Sequence, residues 1–135
     1  MNRDRGGDFH MRALMILGAV FAFAPFGAAM AQDAAAGQRV FNQCRACHTI
    51  NEGGRNGVGP NLHGVWERPA GSVQGFRYSA NMQELAQGGL VWNEANLRRY
   101  LANPKDLVPR GSMAFNGIRN EEQLNNLLAY LQAQR

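Results

Sequence analysis

The run Cys44-Arg45-Ala46-Cys47-His48 constrains this chain more than any other feature. Residues three and four apart on a helix share a face. Cys44 and Cys47 therefore point the same way, and His48, four beyond Cys44, joins them. Two thiols placed so can bond the two vinyl groups of one porphyrin, and the imidazole can ligate its iron. Cys-x-x-Cys-His is the attachment signature of c-type haem. The spacing thus predicts one covalent haem c with His48 as the fifth ligand of its iron. Competing chemistries fit less well. A structural zinc site takes four protein ligands, and the chain has two Cys and three His, one of which, His10, lies in the leader described below. A thioredoxin-like dithiol needs a βαβ context, whereas a Gly-rich loop and then helical patterns follow here. A plain disulfide would leave His48 without a part.

The N-terminus reads as an export leader. Arg3, Arg5 and Arg12 precede an apolar stretch from Ala13 to Ala24; Pro25 breaks it, and Ala29-Met30-Ala31 follows. A basic start, a short apolar run and a small-x-small exit are the parts of a secretory signal peptide. The apolar run falls short of the roughly 20 residues a membrane span needs. Cleavage is expected after Ala31, and either Met1 or Met11 can serve as the start. Residues 1–31 are therefore read as a leader and 32–135 as a single domain. Losing the leader removes Arg3, Arg5 and Arg12 against Asp4 and Asp8, leaving eleven basic and eight acidic residues, a net charge of +3. Lys105 is the sole lysine of the whole chain. With no basic run, nucleic-acid binding is not expected, and a charge this small permits docking to an acidic patch without imposing it.

A domain this short makes a modest core, and a buried haem would supply much of the missing apolar volume. The patterning is helical. A first helix is expected over Ala34–Cys47, with Gly37, Val40, Phe41 and Cys44 on one inward stripe. The Gly- and Asn-rich segment 51–61 reads as a long loop. A short helix is expected over Asn81–Gln87, stopped by Gly88-Gly89. A third starts near Asn93 as its cap, buries Leu97, Tyr100 and Leu101, and ends at Pro104. A last helix starts at Asn120, with Glu121 and Glu122 at its positive end, Gln123 in a capping-box position and Leu124, Leu127, Leu128 and Leu131 as its stripe. No segment reads clearly as a strand.

Once the leader is gone, four residues besides His48 could complete the iron's coordination: His63, Met82, Lys105 and Met113. Met82 sits at the start of the short helix and reads as packing. His63 reads as a loop or surface histidine. Met113 lies in the irregular stretch Pro109-Arg110-Gly111-Ser112-Met113-Ala114-Phe115, where a loop can bring its thioether to a metal free of helical constraint; a flexible core filler is its other part. Two protein ligands of this kind raise the reduction potential and leave no open position for a substrate. That favours electron transfer over catalysis.

In the order of its motifs the chain resembles class I cytochrome c, of the mitochondrial and bacterial cytochrome c2 type. The matching pieces are Gly37, Phe41 and Cys44-x-x-Cys47-His48, then Gly59-Pro60-Asn61-Leu62-His63-Gly64, Arg68, Gly71, Phe76-Arg77-Tyr78-Ser79 and Trp92. Tyr100-Leu101, Asn103-Pro104-Lys105, Pro109, Met113 and Leu127-x-x-Tyr130-Leu131 complete them, so that the likeness covers nearly all of residues 35–135. The resemblance implies an all-α small cytochrome c fold, with helices and long irregular loops wrapped around one covalently bound haem. It also implies His/Met ligation by His48 and Met113. In the family's pattern the Pro60 carbonyl would orient the His48 ring. Arg68, Tyr78 and Trp92 would surround the haem propionates, and Tyr100 would lie near the Met113 sulfur. Gly37 would let the first helix cross the last one closely, against Leu127 and Tyr130. Haem attachment in this family takes place outside the cytoplasm, which agrees with the leader and implies the periplasm of a bacterium.

The chain also departs from the family's pattern. Gly111 stands where many members carry a propionate-binding Thr. Gln43 and Ser112 stand where many place Lys around the exposed haem edge, with Arg45, Arg110 and Lys105 as partial compensation. The stretch Tyr78–Asn81 is one residue shorter than in many relatives, so no water- or propionate-binding part is carried over to Asn81. The expected protein is a soluble periplasmic single-electron carrier, not an enzyme and not membrane-inserted after cleavage. It is expected to be monomeric and to dock transiently on redox partner proteins, either a respiratory or photosynthetic complex or a periplasmic oxidoreductase. One alternative is a dedicated electron-transfer subunit of a periplasmic dehydrogenase or oxidase. A haem sensor or peroxidase-like protein, which needs an open sixth position, is another.

Overall fold

The computed structural model describes residues 26–135, with side chains from Asp33 onward. The basic start and the apolar stretch of the expected leader lie outside the described residues. The helices are α1 (Phe26–Phe41), α2 (Ala80–Gln87), α3 (Glu94–Ala102), α4 (Pro104–Leu107) and α5 (Glu121–Ala133), with a 3₁₀ turn at Asn42–Cys44 between α1 and the first long loop. Among the described residues there is no strand. An isolated antiparallel bridge pairs Pro69 with Val91.

The frame is the crossing of α1 and α5. Gly37 makes it possible. A Cβ there would overlap the Asn126 carbonyl and come within 2.6 Å of the Tyr130 Cβ. With hydrogen in its place the helices close, and the Phe41 ring meets the Tyr130 ring at 5.4 Å between centroids. Phe41 and Leu127 are fully buried. The expected α5 stripe of Leu124, Leu127, Leu128 and Leu131 is buried throughout, and Tyr130 with it. Asn120 caps α5, its side-chain oxygen accepting from the Gln123 N–H at 2.9 Å.

The other helices begin where polar side chains can take up the exposed N–H groups of a first turn. Ser79 Oγ accepts from Met82 N at 3.2 Å and starts α2. Asn93 Oδ1 accepts from Asn96 N at 2.9 Å and starts α3. Both ends of the first helix and the chain at Pro104 differ from the sequence expectation. The first helix does not continue to Cys47: α1 ends at Phe41, and the chain tightens into 3₁₀ geometry. Asn and Cys are weak helix formers, and the i→i−3 bonds Arg45 N→Asn42 O and Cys47 N→Cys44 O replace α-helical ones. Its start lies earlier than Ala34, because α1 runs from Phe26 through the Ala31–Gln32 junction. Pro104 also does more than end α3. Asn103 is extended and terminates that helix, and Pro104, which has no N–H to leave unpaired, opens α4 as its first residue.

Candidate haem site

The four-residue relation within the Cys-x-x-Cys-His run survives the change of helix type. His48 N donates to Cys44 O at 2.9 Å, an α-type turn closing the run. Cys44, Cys47 and His48 thereby line one wall of a single cleft. Its unfilled space is about 1350 Å³, the open mouth included. Cys44 is half-buried against the core, whereas Cys47 is exposed. Burial first, and then the neighbouring Cys47, push the Cys44 thiol up to about 11. A thiol held protonated in this way is not the low-pKa thiolate of a disulfide oxidoreductase.

His48 is oriented by two neighbours. Its Nδ1 lies 2.7 Å from the Pro60 carbonyl oxygen, which can accept a hydrogen bond from the ring N–H. Gly59 lies against the ring itself: a Cβ there would stand 2.7 Å from both ring nitrogens. The loop supplying both residues is anchored. Gly59 N donates to Cys47 O at 2.9 Å. Asn61 is the hub beyond it, donating from Nδ2 to Thr49 Oγ1 at 2.7 Å and to Asn51 O at 3.0 Å, and accepting from His63 N at 3.0 Å. Burial lowers the His48 pKa; the Pro60 hydrogen bond opposes this, and the Arg68 charge adds to it. The balance favours a neutral imidazole, the form that ligates a metal.

The remaining sequence-predicted residues also come together here. Pro60, Arg68, Tyr78, Trp92, Tyr100 and Met113 all line the same cleft. Arg68 donates to the His63 and Asn61 carbonyls at 3.0 and 3.2 Å, which leaves three of its five N–H groups. Burial lowers the Arg68 pKa and the nearby Tyr78 opposes that; a guanidinium stays charged regardless. Tyr78 accepts from Val73 N at 3.0 Å, so its own hydroxyl proton remains to be donated. The bridge between Pro69 and Val91 sets Arg68 beside Trp92, with Trp92 N donating to Arg68 O at 2.9 Å. Trp92 leans on Tyr100, with ring centroids 4.9 Å apart. Tyr100 Oη donates to Met113 Sδ at 3.8 Å, and burial raises the tyrosine's pKa, keeping that proton in place. Of the other ligand candidates, Met82 lines the cleft as a buried core residue, while His63 and Lys105 do not line it. Lys105 Nζ donates to the Gly111 carbonyl at 3.1 Å.

Leu62, Val65, Leu97, Leu101, Phe115 and Leu131 give the lining its apolar character. A wide apolar cleft with two thiols and an imidazole on one wall, and Arg and Tyr donors nearby, fits a haem and its two propionates. The donor set matches too: a neutral imidazole and a thioether are both iron ligands.

Shell and site together define a small all-α protein built around a covalent haem. The family profile for cytochrome c matches residues 34–135. Cytochrome c2 of Rhodoblastus acidophilus is 47% identical over 102 residues, covering 75% of this chain and 92% of that protein. Cytochrome c2 of Afifella marina is 43% identical over 97 residues, covering 72% and 78%. Among solved structures, cytochrome cH from Methylobacterium extorquens superposes with a TM-score of 0.67 at 39% identity, over 75% of this chain and 98% of that one. The chain belongs to the cytochrome c family, in its class I branch, and is an electron-transport protein carrying one covalent haem c.

Sequence reasoning missed several contributors. Gly59 and Asn61 stood only as pieces of a motif; their packing on His48 and on the loop has no sequence signal beyond that. The bonds that Asn81, Glu84 and Arg110 make with one another had no signal in the sequence.

Proposed function

We propose that this protein is a soluble periplasmic carrier of single electrons, with its haem iron held between His48 and Met113. The observation that carries this reading is that both residues line one cleft, each with a polar partner of its own: the Pro60 carbonyl on His48 and the Tyr100 hydroxyl on Met113. Bound there, the haem supplies an iron that cycles between ferric and ferrous states. The chain's residues do the rest. Cys44 and Cys47 hold the group by thioether bonds. Pro60 and Gly59 fix the imidazole plane, so little reorganisation accompanies the redox change. Arg68, Tyr78 and Trp92 provide N–H and O–H donors for the propionates. The apolar wall of Leu62, Val65, Leu97 and Leu131 excludes water, and exclusion of water together with a thioether ligand favours the ferrous state. With His48 and Met113 both holding the haem iron, no site would remain for a substrate, so the protein would act as a carrier and not as an enzyme. Residues 1–31 form the export leader, cut after Ala31, and the carrier works as a monomer that meets its redox partners transiently.

Ligand substitution tests this. Met113→Ala should abolish the weak near-infrared band that marks sulfur on ferric haem, lower the reduction potential and let exogenous ligands bind. Met82→Ala should keep the band and carry only a packing cost of about 2–3 kcal/mol. The opposite pattern would make Met82 the ligand, and a band that survives both substitutions would leave neither as the ligand.

A further inference from the structure

The segment that carries Met113 has no regular structure between Leu107 and Glu121; buried Val108 and Ile118 anchor its ends, the latter also donating to Leu101 O at 2.8 Å, and side-chain ties hold the stretch between them. Two of them come from the neighbouring chain on its own side of the cleft. Lys105 of α4 binds the Gly111 carbonyl, and Tyr100 of α3 reaches Met113. The ties to the opposite side both fall on Arg110. Its backbone N–H donates to Asn81 Oδ1 at 3.0 Å, and its guanidinium donates to Glu84 Oε2 at 2.7 Å. The same Glu84 oxygen accepts a longer bond from Asn81 Nδ2 at 3.4 Å. Asn81 and Glu84 are successive-turn neighbours on α2. Asn81 is the one polar residue buried in the core among the described residues, at 8% exposure. Burying an amide side chain is costly without partners, and here both of its polar atoms have one.

These bonds join two segments that both contribute to the cleft. Ser79 and Met82 line it from the α2 side, Ser112 and Met113 from the loop side. Arg110 is three residues before Met113, a reach of about 10 Å at most, so any freedom at Arg110 is passed on to the sulfur. We propose that Asn81 and Glu84 are positioning residues for Met113: they clasp Arg110, hold the ligand loop against α2, and so set how readily the thioether leaves the iron. The inference rests on Met113 being the sixth ligand. It also removes Arg110 from the set of charges expected to compensate for missing lysines at the haem edge, because its guanidinium is engaged within the molecule.

The test is imidazole binding to the ferric holoprotein, in which imidazole must displace Met113, measured beside the guanidinium unfolding midpoint. Met113→Ala and its near-infrared band first decide the ligand assignment independently. Glu84→Gln and Arg110→Gln should each tighten imidazole binding by about threefold, the scale of an exposed ion pair. Asn81→Leu, which strips the Arg110 N–H of its acceptor, should tighten it by about tenfold. The exchanged pair Glu84→Arg with Arg110→Glu should return the affinity to within about twofold of the parent. If Asn81→Leu fails to fold, the two exposed positions and their exchange decide alone. Single variants that bind imidazole like the parent would overturn the clasp, whatever their unfolding midpoints. So would an exchanged pair that behaves no better than its singles.

Discussion

Gly59 holds the His48 ring by having no side chain. A methyl there would overlap the imidazole, and the ring cannot yield without losing the Pro60 carbonyl at 2.7 Å. Gly59→Ala should therefore cost about 1–3 kcal/mol in the manner of an overpacked core, and should tilt the imidazole. The unfolding midpoint checks the first effect and the visible absorption of the holoprotein the second; a midpoint and a spectrum like the parent's would show that the loop gives way instead. At this scale the sequence was legible where chemistry dictates spacing. Cys44, Cys47 and His48 could be read because thioether bonds and an imidazole ligand leave few other arrangements. Met113 was singled out by its place in an irregular loop, Pro60, Arg68, Tyr78, Trp92 and Tyr100 by family order, and the structure gathers them on one cleft. Contacts made at a distance had no such signature. Nothing in the letters around Asn81 announces Arg110, 29 positions further on.

Helices were legible where a cap and an apolar stripe coincide. Asn120 before α5 and Asn93 before α3 each accept the bond that a first turn offers. The stripes behind them point into one core. The misread boundaries have a common cause, because each lies where two local rules conflict. Periodicity carried the first helix on to Cys47, while Asn42 and Cys44 favour a tighter turn. Pro104 obeys the rule that proline stops a helix, and equally the rule that proline starts one. Between elements, Gly37 carries the most weight. Gly37→Ala places a methyl against the Asn126 carbonyl and the Tyr130 Cβ. Those atoms are backbone and stem, which cannot swing aside. The substitution improves local helix propensity by about 1 kcal/mol, yet it should destabilise the protein by about 3 kcal/mol, because α1 must lift from α5. Guanidinium unfolding of the holoprotein reads this directly. A gain in stability would mean that the crossing is looser than the structure has it.

Over the whole molecule, the core and the cleft are one apolar system: Val65, Met82, Trp92, Leu97 and Leu131 belong to both. A small domain cannot leave such a surface wet and stay folded on a net stability of about 5–15 kcal/mol. The Cys44→Ser, Cys47→Ser double variant, made without haem attachment, should therefore lose most of its helical far-ultraviolet signal and regain it only when haem is supplied. A fully helical haem-free chain would show that α1 and α5 suffice alone. The outer surface has its own consequence. Residues 32–135 carry a net charge of +3, and several of their cations are engaged internally. Arg98 pairs with Glu94 and Glu121, Arg99 with Asp106, Arg110 with Glu84; Lys105 binds a carbonyl, and Arg68 lines the cleft. At the cleft mouth stand the uncharged Gln43, Val58 and Ser112, with Val58 81% exposed. Electrostatic steering needs a focused field of one sign, and such fields are screened over about 8 Å at physiological ionic strength. Docking at this mouth would therefore draw more on apolar contact than on charge. The second-order rate of electron transfer with the native partner should fall by no more than about threefold from low to physiological ionic strength. A steep fall over that range would place a concentrated arginine patch on the docking face, and the neutral mouth would then lie outside the contact.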